Sequence, residues 1–134
     1  MHITLHFCEE AESRPDGKLD IRGIFNELYA PGFPAKQDRL MIAGVIEWER
    51  HVDGRQAFVL HLNDPDGSPI YTIDGYTDVD TREDGKAPAR THLCLALENV
   101  IFPVAGEYRQ QIVIGDETIP GPVLYLLRTK TDQN

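Results

Sequence analysis

RLMIAGVIEWE, residues 39–49, is the stretch whose reading decides the fold. Leu40, Ile42, Ile46 and Trp48 fall in one phase of a two-residue repeat, and Met41, Ala43 and Val45 fall in the other. Successive side chains of a strand point to opposite faces, so this segment reads as a β-strand that is apolar on both sides.

The same period runs outward in both directions. Before it, residues 2–9 alternate Ile3, Leu5 and Phe7 with His2, Thr4, His6 and Cys8. Pro15-Asp16-Gly17 then turns the chain into 18–29, where Leu19 and Ile21 alternate until Gly23. A glycine followed by two adjacent apolar residues, Ile24 and Phe25, suggests a β-bulge within one strand, with a helical turn over 24–29 as the alternative. Residues 30–38, with Pro31, Gly32 and Pro34, form a connection that Phe33 pins to the body.

After it, Asp53-Gly54 marks a turn, and 39–49 with 55–63 suggests a hairpin. Phe58, Leu60 and Leu62 set the phase of that second strand. Asn63-Asp64-Pro65-Asp66-Gly67 is the strongest turn signal, since proline presets the first central residue and aspartate and glycine accept the next. Further strands follow at 69–79, 90–98, 107–114 and 122–129, with 80–89 as an acidic loop, Gly115-Asp116 turning the last pair, and 130–134 as a frayed polar tail. Eight strands, no helix and one domain over 1–134 predict an all-β, antiparallel two-sheet sandwich, an immunoglobulin-like or C2-like Greek key.

Composition narrows the function classes. With 22 acidic against 13 basic residues the formal net charge is −9, and Lys18, Lys36, Lys86 and Lys130 are scattered rather than striped. Such a field repels phosphate backbones and anionic headgroups, so neither nucleic acid nor membrane is an expected partner. Residues 1–8 run straight into Glu9 and Glu10 without a basic start, which predicts a cytoplasmic protein with Cys8 and Cys94 as thiols.

No catalytic constellation emerges, and the expectation is a protein that is not an enzyme and carries no cofactor. The two serines, Ser13 and Ser68, belong to turns and not to a G-x-S-x-G elbow. His6 and Cys8 share a strand face about 6–7 Å apart, long for a direct hydrogen bond. The histidines His2, His6, His61 and His92 could converge on zinc only through strand pairing, since no local spacing brings ligands together. Glycine-rich phosphate loops are absent.

Carboxylates offer the alternative reading. Asp64 and Asp66 share one turn, while Asp78 and Asp80, with Glu83 and Asp84, stand at the next strand end. A C2-like calcium or other metal site gathers such loops at one end of a sandwich, whereas turn aspartates otherwise bond their own backbone. If 56–63 and 69–79 form a hairpin, the two groups sit at its opposite ends, and a third loop such as 16–20 would have to contribute. A hydrolytic enzyme would need two carboxylates brought together by the fold.

Three strands are apolar on both faces: 40–46, 93–97 and 123–127. The second faces are Met41, Ala43 and Val45, then Cys94 and Ala96, then Leu124 and Leu126. A sandwich strand shows one face to water, so something must cover these residues: the 30–38 crossing, the 99–105 segment, or another copy of the protein. Met41, Val45, Leu124 and Leu126 are therefore the candidate interface residues, with a homodimer or an unidentified protein as partner.

Gly17-Lys18-Leu19 with Gly23, then Phe33-Pro34, then Phe102-Pro103-Val104-Ala105-Gly106-Glu107-Tyr108 form an ordered set of features. In that order they resemble an uncharacterised bacterial family of small single-domain β-sandwich proteins, over nearly the whole chain. The resemblance implies a fold but no activity. In the last motif proline ends pairing, Gly106 permits a turn, and Tyr108 re-enters the sheet with its hydroxyl at the edge, as in a tyrosine corner.

Overall fold

The computed structural model describes residues 1–130; the tail expected at 130–134 lies, from 131 on, outside the described residues. The fold is all-β, and no helix occurs among the described residues. Among the described residues ten strands form three sheets, rather than eight strands in two.

The first sheet holds β1 (His2–Cys8), β5 (Ala35–Glu47) and β8 (Arg90–Phe102), with β5 central and antiparallel to both neighbours. The second orders β4 (Glu27–Ala30), β10 (Glu117–Arg128), β9 (Gly106–Ile114), β6 (Gly54–Asn63) and β7 (Pro69–Val79). The third is a hairpin of β2 (Glu10–Ser13) and β3 (Leu19–Arg22). One hydrophobic cluster draws on both larger sheets, with Phe7, Leu40, Ile42, Ile46 and Leu97 from the first and Leu60, Leu62, Tyr108, Ile112, Leu124 and Leu126 from the second.

Three expectations need correction. Residues 39–49 and 55–63 do not pair: β5 lies between β1 and β8, and β6 lies between β9 and β7. The segment around Asp53-Gly54 crosses between sheets, a task for which a turn residue at positive φ serves as well as in a hairpin. Residues 18–29 are not one bulged strand, since Gly23, at φ +68°, releases the chain from β3 in the small hairpin to β4 in the large sheet. The connection expected at 30–38 shrinks to 31–34, because β5 begins at Ala35, just after the cis Phe33-Pro34 bond.

Two ladders follow the sequence reading. β6 and β7 form the hairpin around Asp64–Gly67, and β9 and β10 form the hairpin around Gly115-Asp116. β10 starts earlier than expected, and its register slips between Pro120 and Val123, where prolines cannot sustain a regular ladder.

Strand β8 runs through Asn99, whose φ of 54° is left-handed, a conformation asparagine tolerates better than most residues. Leu97 and Val100 are both buried although three residues apart, so the alternation resets there and Val100 and Phe102 return to the core. At the other end of the sheet, β1 and β5 approach so closely that a Cβ on Gly44 would lie 1.9 Å from the Thr4 carbonyl oxygen. Only glycine fits that crossing.

Candidate functional site

Register decides which face each candidate residue occupies, because directly opposed partners share a face. In the first sheet, Met41 pairs with Cys8 and Ala96, Ala43 with His6 and Cys94, and Val45 with Thr4 and His92. The small hairpin covers the part of this outer face nearest β1 and β5, and Cys94 and Ala96 on β8 stay exposed. Ala11 and Ile21, cross-strand partners in β2–β3, pack together against Cys8, Met41 and Ala43. Ser13 Oγ adds a 2.9 Å hydrogen bond with His92 Nδ1. The cover is thus neither the 30–38 crossing nor the 99–105 segment. It leaves Met41 buried and Val45 half-buried.

Leu124 and Leu126 are corrected more sharply. Both lie in the main core, with 0% and 2% of their surface exposed. The outward face of β10 is therefore the other phase: Val123, Tyr125 and Leu127, all half-buried. Both phases of 123–127 are apolar, and the sequence offers no hydropathy contrast to choose between them. The tyrosine hydroxyl of Tyr125 was the one available hint.

On the neighbouring strand, Tyr29 pairs with Leu127 and Glu27 with Tyr125 in a parallel ladder. Tyr29 is 62% exposed. Beyond β10, Arg109 pairs with Val123 and Glu107 with Tyr125, and Arg109 Nη2 stands 3.5 Å from a Glu107 carboxylate oxygen. Tyr29, Val123, Tyr125 and Leu127 thus make a continuous apolar and aromatic patch, flanked by Glu27, Glu107 and Arg109. Among the described residues, neither hydrophobic cluster includes Tyr29, Val123, Tyr125 or Leu127.

The acidic candidates divide as the β6–β7 hairpin requires, with Asp64 and Asp66 at its turn and Asp78 and Asp80 at the far end. Asp64 Oδ1 accepts hydrogen bonds from the backbone N–H groups of Asp66 and Ser68, both at 2.9 Å. Asp78 pairs with Arg55 at 3.2 Å. Among the described residues, no three histidine, cysteine, aspartate or glutamate side chains form a group that could hold a metal ion.

Cys8 and Cys94 are both free thiols. Burial pushes the Cys8 thiol up, and the nearby Cys94 adds to the rise. Partial desolvation also raises Cys94, against a hydrogen bond from the Ser13 backbone that lowers it. Raised thiols favour the protonated, poorly nucleophilic form. Among the described residues, no helix is long and apolar enough to cross a membrane.

The end of the chain motif 102–108 is built as a corner. The Tyr108 ring is fully buried, edge-on to Phe102 with centroids 4.9 Å apart. Gly106, at φ +140°, lets the Pro65 ring approach, since a Cβ there would lie 2.9 Å from Pro65 Cγ. The motif therefore seats the 64–67 turn as well as the tyrosine.

No curated protein matches the chain. A model of a family of unknown function, DUF6941, matches residues 3–125, which takes in all three stretches that carried the resemblance. The chain belongs to this family.

Proposed function

We propose that the protein is a non-catalytic module that acts by self-association, two copies meeting through the patch of Tyr29, Val123, Tyr125 and Leu127. The observation that carries this reading is an asymmetry of cover. One outer face carries its own hairpin over Cys8, Met41 and Ala43, while the other presents the exposed Tyr29 beside the half-buried Val123, Tyr125 and Leu127 on adjacent strands. Tyrosine is enriched in protein interfaces, where it supplies large contact area with a polar tip.

A second copy is the occupant the charges favour. The chain as a whole is strongly acidic, yet the rim of the patch carries both signs, Glu27 and Glu107 beside Arg109. A two-fold axis through the patch brings the Arg109–Glu107 pair and Glu27 of each copy to the seam, so that each copy supplies one basic group for the other's carboxylates. We read the two larger sheets as the layers of a Greek-key sandwich of immunoglobulin-like or C2-like kind, working in a reducing, cytoplasmic setting that suits two free thiols.

Light scattering across the micromolar range tests the proposal. A mass near twice 15.1 kDa is expected, and a monomer mass at every concentration overturns it.

A further inference from the structure

Beside that patch, beyond Arg109, the outer face of the five-stranded sheet holds a pocket of about 400 Å³, whose lining includes Asn63, Pro65, Arg109, Gln111, Thr118 and Pro120. Ligand pockets of proteins span roughly 300–1,000 Å³, so this volume suits a small molecule. Its walls come from rigid elements. Gln111 sits on β9, between β6 and β10, and Asn63 closes β6. The turn bearing Pro65 is fixed by the Asp64 hydrogen bonds and by its seat on Gly106.

The chemistry lies in one amide pair. Asn63 Nδ2 donates to Gln111 Oε1 at 3.0 Å. That bond leaves an acceptor, Asn63 Oδ1, and a donor, Gln111 Nε2, without a protein partner among the described residues. Neither is sealed from solvent: the buried side-chain polar atoms lacking partners belong to Gln110 alone among those residues. Exchanging oxygen and nitrogen in both amides leaves the same result, one free donor and one free acceptor. A primary carboxamide carries the complementary donor and acceptor on one planar group. Pro65 and Pro120 supply apolar walls for a flat ring, and the charge of −9 disfavours an anion.

We propose that this pocket binds a small planar carboxamide, held through the Asn63–Gln111 amide pair. The reading does not require self-association: the amide pair lies outside the patch of Tyr29, Val123, Tyr125 and Leu127, and Arg109 belongs both to the pocket lining and to the rim of the patch.

The test is a titration of ¹⁵N-labelled protein with benzamide, followed by amide cross-peaks. Saturable shifts are expected at the side-chain NH₂ groups of Asn63 and Gln111 and at the backbone of 64–67. N,N-dimethylbenzamide, which lacks the donor, and benzoate, which carries charge, are each expected to bind at least about tenfold more weakly, the loss of one good hydrogen bond. Asn63→Ala and Gln111→Ala should each cost a similar factor in spectra that otherwise keep the native dispersion. Leu127→Glu should leave benzamide binding unchanged. Absence of shifts up to the solubility of benzamide, or equal shifts with the dimethyl analogue or in Gln111→Ala, overturns the proposal.

Discussion

The hydroxyl of Tyr108 donates to the Val104 carbonyl oxygen at 2.6 Å and accepts from the Val104 N–H at 3.2 Å, closing the loop between β8 and β9 on itself. One side chain thereby satisfies both backbone groups of a residue that no strand partner serves. Tyr108→Phe keeps the ring and its contact with Phe102 but strands those groups. A loss of about 1–2 kcal/mol in unfolding free energy is expected from denaturant titration.

The same hydroxyl sets an alkaline limit. Desolvation raises Tyr108 above its ordinary value, Asp64 raises it further, and the Val104 hydrogen bond acts in the other direction. The folded state therefore holds this proton longer than the unfolded chain. Its contribution is complete below the unfolded value of about 10, and it is lost as pH rises through the higher folded value. Stability should fall above about pH 10, and the fall should be shallower in Tyr108→Phe, as thermal unfolding across pH 8–11 would record.

Gln110 is the buried polar residue among the described ones. It is 1% exposed, and neither atom of its amide has a hydrogen-bond partner among the described residues. Gln110→Met keeps length and shape without polar atoms, so an increase in stability of about 1–2 kcal/mol is expected. A lower melting temperature for this variant would show that the amide is satisfied in solution.

The cover over the first sheet is tested through its thiols. With the hairpin seated, Cys8 is buried and Cys94 is exposed. Cys94 should react with a thiol reagent well before Cys8. Ile21→Asp places a charge against Met41 and Cys8 and should lift the hairpin, bringing the Cys8 rate toward that of Cys94 in mass-spectrometric labelling. Equal rates in the unaltered protein would contradict the packing.

Gly44→Ala should cost more than an ordinary strand substitution. The clash is with backbone rather than with a flexible side chain, so β1 must move away from β5. A loss above about 3 kcal/mol, or failure to fold, is expected by circular dichroism and denaturant titration.

Alternation made β1, β6, β7 and β9 legible from sequence, because in each a single phase is markedly apolar. Leu60 and Leu62 went to the core as their phase required. Pairing was less legible. Asp53-Gly54 supplies a positive-φ turn, and the physics of that turn is the same whether the chain folds back or crosses to another sheet. The hairpin β2–β3 is not legible in the sequence, because Glu10–Ser13 has one apolar residue, Ala11, whose importance lies in what it covers. The hairpin's contact with Met41 and Ala43 accounts for the double-sided apolar character of β5 without any second molecule. In β10 two equally apolar phases left the facing undetermined, and the structure assigned Leu124 and Leu126 to the core.

The amide pair at the pocket had no sequence signal, since Asn63 and Gln111 are 48 positions apart and meet only through strand register. The adjacent Gln110-Gln111 did carry one. In a strand, two consecutive glutamines send one amide inward, and that is the unpartnered Gln110.

Sedimentation equilibrium of the unaltered chain beside Leu127→Glu examines the self-association face most directly. A concentration-dependent dimer for the first, and a folded monomer for the second, are the expected pair of results. A chain that stays monomeric throughout, or a dimer indifferent to a charge at Leu127, would contradict the account.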